Sequence, residues 1–181
     1  MLENNEAYEY LLSEAGMQEL HGRLVAENDW FIHETPKDNL GIIRLGSLNP
    51  HIREDTIHFP SCKTKVITNQ TSILCLKPIK SKVSWRNVVG KGKITTALAI
   101  HKSYLPTMIG LDFTFPPHWN AFSVYLREEQ INNPIDAALK TIYKNGVVIS
   151  YTSIKAEHLR VQLDDNDNPE NWPFLIDVLA I

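Results

Sequence analysis

The sequence predicts an α+β fold in a single domain. Three observations carry this: a helical repeat confined to the N-terminal end, short runs rich in β-branched and aromatic residues after Asp29, and two helical signatures set between those runs. The chain has 181 residues, of which 43% are hydrophobic and 22% charged, the make-up of an ordinary globular domain. Neither repeats of 20 to 50 residues nor low-complexity segments occur, so no domain boundary is expected within 1–181.

From Asn4 to Asn28, Tyr8, Leu11, Leu12 and Ala15 recur three and four apart, followed after Gly16 by Leu20, Leu24 and Val25. This spacing predicts an N-terminal helical segment over 1–28, two short helices broken at Gly16. The runs WFI (30–32), SILCL (72–76), ITTALAI (94–100), FTF (113–115), AFSVYL (121–126) and GVVISY (146–151) predict strands, making most of the chain sheet. Helices are expected over Asn39 to Leu45, stopped near Gly46, and over Pro134 to Lys144, where proline suits a first turn and Asn145-Gly146 a stop. An acidic turn over Asp164 to Asn171 then leads to a last strand around Phe174 to Leu179.

No run of 18 apolar residues is present, and the first twenty residues hold five glutamates without lysine or arginine, so neither a membrane span nor a signal peptide is expected. That points to the cytoplasm, with Cys62 and Cys75 as free thiols. The net charge of −3 hides an uneven distribution: residues 56–111 contain nine Lys or Arg and no acid. Six of the nine fall between Lys77 and Lys93 around Trp85, the aromatic-among-bases pattern that single-stranded nucleic acid binding uses. A basic insert over 77–117 is therefore expected, with Lys80, Lys82, Trp85 and Arg86 as nucleic-acid contacts. A solvated lysine edge around a buried Trp85 is the competing reading of the same residues.

The densest motif is FIHETPKDNLGIIRLGSL, residues 31–48. A strand there places His33 and Thr35 on one face, because side chains two apart point the same way. A helix starting at Asn39 would add an N-terminus suited to phosphate.

The order H-x-T, then N-L, an isoleucine and Gly-Ser-Leu resembles the first motif of the ADP-ribosyltransferase superfamily, as in the DNA-modifying toxins of toxin–antitoxin pairs and in tRNA 2'-phosphotransferases. Residues 124–161 resemble the final strand, helix and strand of the phosphotransferases, and REDTIHF at 53–59 resembles the family's arginine-x-x-histidine strand. The resemblance implies an ADP-ribosyltransferase-like split β-sheet, with NAD as substrate. It gives cofactor-binding roles to His33, Thr35, Asn39, Arg53 and His58, and a stacking role to Tyr104. It further implies a nucleic-acid acceptor, RNA or DNA, and the setting of a toxin or phage-defence effector with an antitoxin or other partner protein. The late-strand glutamate of most such transferases is missing from Asn145-Gly146-Val147-Val148, leaving Glu128, Glu129 and Glu157 as substitutes for the acid.

A second pattern pairs His33-Glu34-Thr35 with His101-Lys102-Ser103, which resembles the two-histidine phosphoesterases that cleave cyclic nucleotides or RNA phosphodiesters by general acid and base. A catalytically inactive nucleic-acid-binding module is the non-enzymatic alternative. Cys62 and Cys75 lack partners for a zinc site, the run 164–168 lacks the glycine and glutamate of a calcium loop, and no P-loop or G-x-S-x-G motif occurs.

Overall fold

A computed structural model describes residues 4–52, 72–84, 92–105, 109–110, 116–127, 132–145, 148–150 and 152–178. Helix α1 (Asn4–Leu12) and helix α2 (Glu14–Glu27) open the chain. The break between them falls at Ser13 and not at Gly16. Ser13 caps α2 by accepting from the Gly16 amide at 3.1 Å, and its hydroxyl donates to the Tyr10 carbonyl at 2.6 Å. Gly16 lies in the first turn of α2 because the two helices touch there. A Cβ at that position would sit 2.0 Å from the Tyr10 carbonyl oxygen.

Seven strands form an antiparallel sheet among the described residues: β1 (Trp30–Pro36), β3 (His51–Ile52), β4 (Ser72–Pro78), β5 (Thr95–His101), β6 (Ile109–Gly110), β7 (Val148–Ser150) and β9 (Leu159–Val161). Their order is β6-β7-β4-β1-β5-β9, with β3 paired to the start of β4. A separate two-stranded pair joins β2 (Ser47–Leu48) to β8 (Ile154–Lys155). The connection from β1 is a 3₁₀ turn over Lys37–Asn39 followed by helix α3 (Leu40–Arg44), so the α-helix begins one residue later than expected. Helices α4 (Pro116–Arg127) and α5 (Pro134–Asn145) complete the fold.

One face of the sheet carries the larger core. Phe31, Leu74, Leu76, Leu98, Ile100, Val148, Leu159 and Val161 pack there against Leu20 and Leu24 of α2, Phe122 of α4 and Ile135 and Ile142 of α5, all buried. The other face holds a smaller cluster of Ile32, Ala97, Ala99 and Trp172, flanked by Trp30 and Ile79. No helix of the described residues is long and apolar enough to cross a membrane.

The mixed helix-and-sheet class is as the sequence predicts, with strands at 30–32, 72–76, 94–100 and in 146–151 and a helix from Pro134. Three expectations are corrected. The run 121–126 belongs to α4. Its buried residues Phe122, Tyr125 and Leu126 recur three and four apart, and packing of that stripe on α5 and on Tyr8 (ring centroids 5.0 Å apart) overrides the β propensity of its residue types. Residues 124–161 accordingly begin in a helix and not in a strand. The last segment forms 3₁₀ turns, Pro169–Asn171 and Leu175–Asp177, and meets β9 through the Arg160–Phe174 bridge and the Val161 amide on the Pro173 carbonyl, without a strand over 174–179 among the described residues. With α4 helical, helix and not sheet is the larger share of the described chain. The run 113–115 lies outside the described residues.

Candidate functional site

Strand β1 positions the first group of candidate residues. It pairs along its whole length with β5, from Trp30 opposite His101 to Pro36 opposite Thr95. Its ladder with β4 is limited to Phe31–Pro78 and Ile32–Lys77. Immediately beyond that ladder the His33 imidazole takes the Cys75 carbonyl, with Nδ1 at 2.9 Å. A carbonyl only accepts, so Nδ1 carries a proton and donates it. Thr35 shares the face of His33 and is buried, and Asn39 donates from Nδ2 to Thr35 Oγ1 at 3.2 Å. His33 and Thr35 thus share a face of β1 as their spacing predicts, and the Asn39 side chain is tied to Thr35. Because α3 is only five residues long and Asn39 spends its side chain on Thr35, a phosphate site at that helix start is not built.

Glu34 points to the other face. Its carboxylate, buried to 5% exposure, lies 3.0 Å from Lys77 Nζ, which also donates to the Val83 carbonyl at 2.8 Å. Of the five central bases among the described residues, three are tied to acids: Lys77 to Glu34, Lys93 to Asp38 at 2.9 Å and Lys102 to Asp29 at 2.8 Å. Lys80 and Lys82 are exposed. Trp85, Arg86, Arg53, His58 and Glu129 lie outside the described residues, and so does Glu128.

The remaining candidates do not join His33. Tyr104 and Glu157 belong to a second group at the end of the sheet where β5 finishes and β9 begins. Register puts His101 on the face of Trp30, Ile32 and Ala99, whereas His33 faces the side of Phe31, Leu98 and Thr35. The two imidazoles point to opposite faces of the sheet and stand three strand residues apart, roughly 10 Å along the strand. They cannot serve as acid and base on one phosphodiester, so the paired H-x-[ST] reading fails geometrically. His101 Nδ1 also accepts from the Ser103 amide at 3.3 Å and lies 2.8 Å from its hydroxyl, so, unlike His33 Nδ1, it carries no proton.

Around His101 the fold gathers residues that no local motif announces. Its ring meets Trp30 edge-on at 5.0 Å and Tyr104 at 6.5 Å, and Tyr104 stacks on His158 with centroids 4.0 Å apart and planes 7° apart. Arg160 lies over the rings of Trp30 (5.2 Å) and Phe174 (4.6 Å). Its guanidinium donates to the main-chain oxygens of Pro169 (3.3 Å), Glu170 and Trp172 (3.4 Å). Glu157 is exposed and lies 3.5 Å from His158 Nε2. These residues come from four separated segments; the sequence singled out His101, Tyr104 and Glu157 for other reasons, and nothing local links them to Trp30, His158, Arg160 or Phe174. Among the described residues, no group of three or more His, Cys, Asp or Glu is placed to hold a metal ion.

No protein-family model matches this chain, and neither a curated protein nor a solved structure matches it.

Proposed function

We propose that the chain is an NAD-dependent ADP-ribosyltransferase acting on a nucleic acid. The observation that carries this reading is the placement of three polar residues in the order of the resembled motif: His33 and Thr35 on one face of β1, Asn39 bonded to Thr35, and the His33 ring held by the Cys75 carbonyl. The His33 ring, so oriented, is suited to contact a ribose hydroxyl. Thr35, whose oxygen takes the Asn39 amide, keeps its own hydroxyl hydrogen to donate.

The reaction needs little acid–base power. The bond from ribose C1' to nicotinamide breaks with its electrons leaving on nicotinamide, a cation-like ribosyl centre develops, and an acceptor oxygen or nitrogen bonds to C1' and gives up its proton. Holding the ribose in place supplies much of such a barrier reduction. His33 and Thr35 would do the holding. The separate β2–β8 pair supports reading the architecture as a split sheet. The exposed Lys80 and Lys82 favour a polyanionic acceptor, and the toxin or phage-defence setting, with an antitoxin or other partner, follows from the resemblance alone. Tyr104 and Glu157 have no part in this site.

The test is nicotinamide release and a mass shift of the acceptor on incubation with NAD and single-stranded DNA, RNA or protein. The proposal expects one nucleic acid to gain ADP-ribose, and His33→Ala to reduce turnover about 100-fold or more, the scale of losing a positioning group, with the thermal midpoint retained. Absence of release with every acceptor, or full activity in His33→Ala, overturns it. RNA bearing a 2'-phosphate as acceptor separates the phosphotransferase variant, which would release that phosphate from the RNA. Nucleic-acid binding without any product would identify an inactive binding module.

A further inference from the structure

We infer that the face of the sheet opposite His33 carries a second site, a track of planar side chains that stacks the bases of a single-stranded nucleic acid. The track runs Phe174, Arg160, Trp30, His101, Tyr104, His158, each group in contact with the next at 4.0 to 6.5 Å. Single exposed aromatics are common on protein surfaces. Six planar groups in unbroken succession, from four separated chain segments, are a different matter.

The ends of the track are open. Tyr104 is 42% exposed and Phe174 38% exposed. His158 backs only one face of the Tyr104 ring, which is the way protein rings present a face to a base. The middle is held rigid. Arg160 is pinned by three main-chain oxygens of 169–172, and the His101 ring is held by the Ser103 amide and hydroxyl. A rigid platform loses little freedom when a base stacks on it.

The local charge selects the ligand. Asp29, at the Trp30 end, is held below the usual carboxylate range chiefly by its hydrogen bond from Lys102, and the charges of Lys102 and Lys80 act in the same direction. Lys80 and Lys155 are exposed. Glu157 and Asp29 are the acids in contact with this group, and each already faces a cation: Glu157 lies 3.7 Å from Lys155 and Asp29 lies 2.8 Å from Lys102. Rings for bases with lysines beside them for phosphates are the two elements of sequence-tolerant single-strand binding. The site is independent of the NAD reading, since it lies on the other face of the sheet and involves no residue of the His33 group.

The experiment is fluorescence anisotropy of the full chain with labelled oligothymidine and oligouridine, without NAD, against an abasic strand of the same length. Wild type should bind the base-bearing strands more tightly than the abasic one. Tyr104→Ala should weaken binding by about five- to 150-fold, the range expected for one stacked base, while Tyr104→Phe stays within about twofold. Phe174→Ala should weaken it as well, with unchanged thermal midpoints for the exposed-ring variants. Equal affinity for the abasic strand, unaltered binding by Tyr104→Ala, or no binding by wild type overturns the inference. Retained binding with a flattened salt dependence on Lys80→Glu supports the phosphate part of it.

Discussion

Two glycines of helix α2 should respond to the same substitution with opposite signs. In a helix interior, Gly→Ala ordinarily stabilises by about 0.5–1 kcal/mol, because alanine restricts the unfolded backbone. Gly22 is exposed and a Cβ there would meet nothing within 4 Å, so Gly22→Ala should show that gain. At Gly16 the new methyl would stand 2.0 Å from the Tyr10 oxygen, 2.8 Å from the Tyr10 carbonyl carbon and 3.1 Å from the Leu11 Cα. All three are backbone atoms of α1 or its end and cannot rotate away. Reaching ordinary contact near 3.5 Å requires the helices to separate by about 1.5 Å, and a gap of even 0.5–1 Å forfeits a quarter to a half of each dispersion contact. Ala7, Tyr8 and Leu11 of α1, all buried in the larger core, would bear that loss. Overpacking of this kind costs about 1–3 kcal/mol, and the close backbone approach puts Gly16 toward the upper end. After the intrinsic gain of about 1 kcal/mol, the net effect of Gly16→Ala is a loss of about 2 kcal/mol. For a chain of this size that is a fall in thermal midpoint of about 4–8 °C, against a rise of about 1–4 °C for Gly22→Ala. Calorimetry or circular dichroism melts of the three proteins decide it. A Gly16→Ala protein as stable as wild type would refute the close packing of α1 on α2.

Other perturbations test the groups around β1. Lys77→Met leaves the Glu34 carboxylate buried without its cation and should cost about 3–5 kcal/mol by denaturant titration, whereas pairing it with Glu34→Leu should recover most of the loss. An equal loss in the double variant would show that the pair stabilises the fold by itself. Thr35→Val removes the acceptor of the Asn39 amide and a hydroxyl of the proposed ribose site, so nicotinamide release should fall about tenfold or more while folding persists. Unaltered turnover would remove Thr35 from the site. The Tyr143 hydroxyl is pushed up to about 12, mainly by burial; the donor Asn28 opposes the shift and Glu27 adds to it. Its folded value exceeds its unfolded one, so this contribution to stability is full below pH 10 and disappears as pH rises from 10 to 12. Wild type should therefore lose more stability than Tyr143→Phe across that window, and parallel pH profiles would contradict the assignment.

Much of the site at β1 was legible in the sequence because its logic is local. Side chains two apart on a strand share a face, so His33 and Thr35 were predictable as neighbours, whereas the bond of the Asn39 side chain to Thr35, in place of a phosphate site at a helix start, was not. Tyr104 and Glu157, which entered through the resemblance and not through spacing, lie apart from His33. Which face a residue two strands away presents depends on register, and the pairing of Trp30 with His101 put that whole group on the other side. The two matching H-x-[ST] triplets show the same limit: identical in pattern, they diverge in space because His33 and His101 occupy strand positions of opposite parity relative to one another.

What the sequence alone determined is the mixed class, the strand runs at 30–32, 72–76 and 94–100, the helix from Pro134, and the uneven distribution of charge. Those follow from residue periodicity and local backbone preference, which act within a few residues. Tertiary structure decided the helical state of 116–127, where a buried stripe packs on α5 against its own β propensity. It also decided the burial of Lys77 against Glu34 and the assembly of Trp30, His101, Tyr104, His158, Arg160 and Phe174 into one surface. Each of these depends on contacts between distant segments, whose free energy exists only once the sheet has chosen its register.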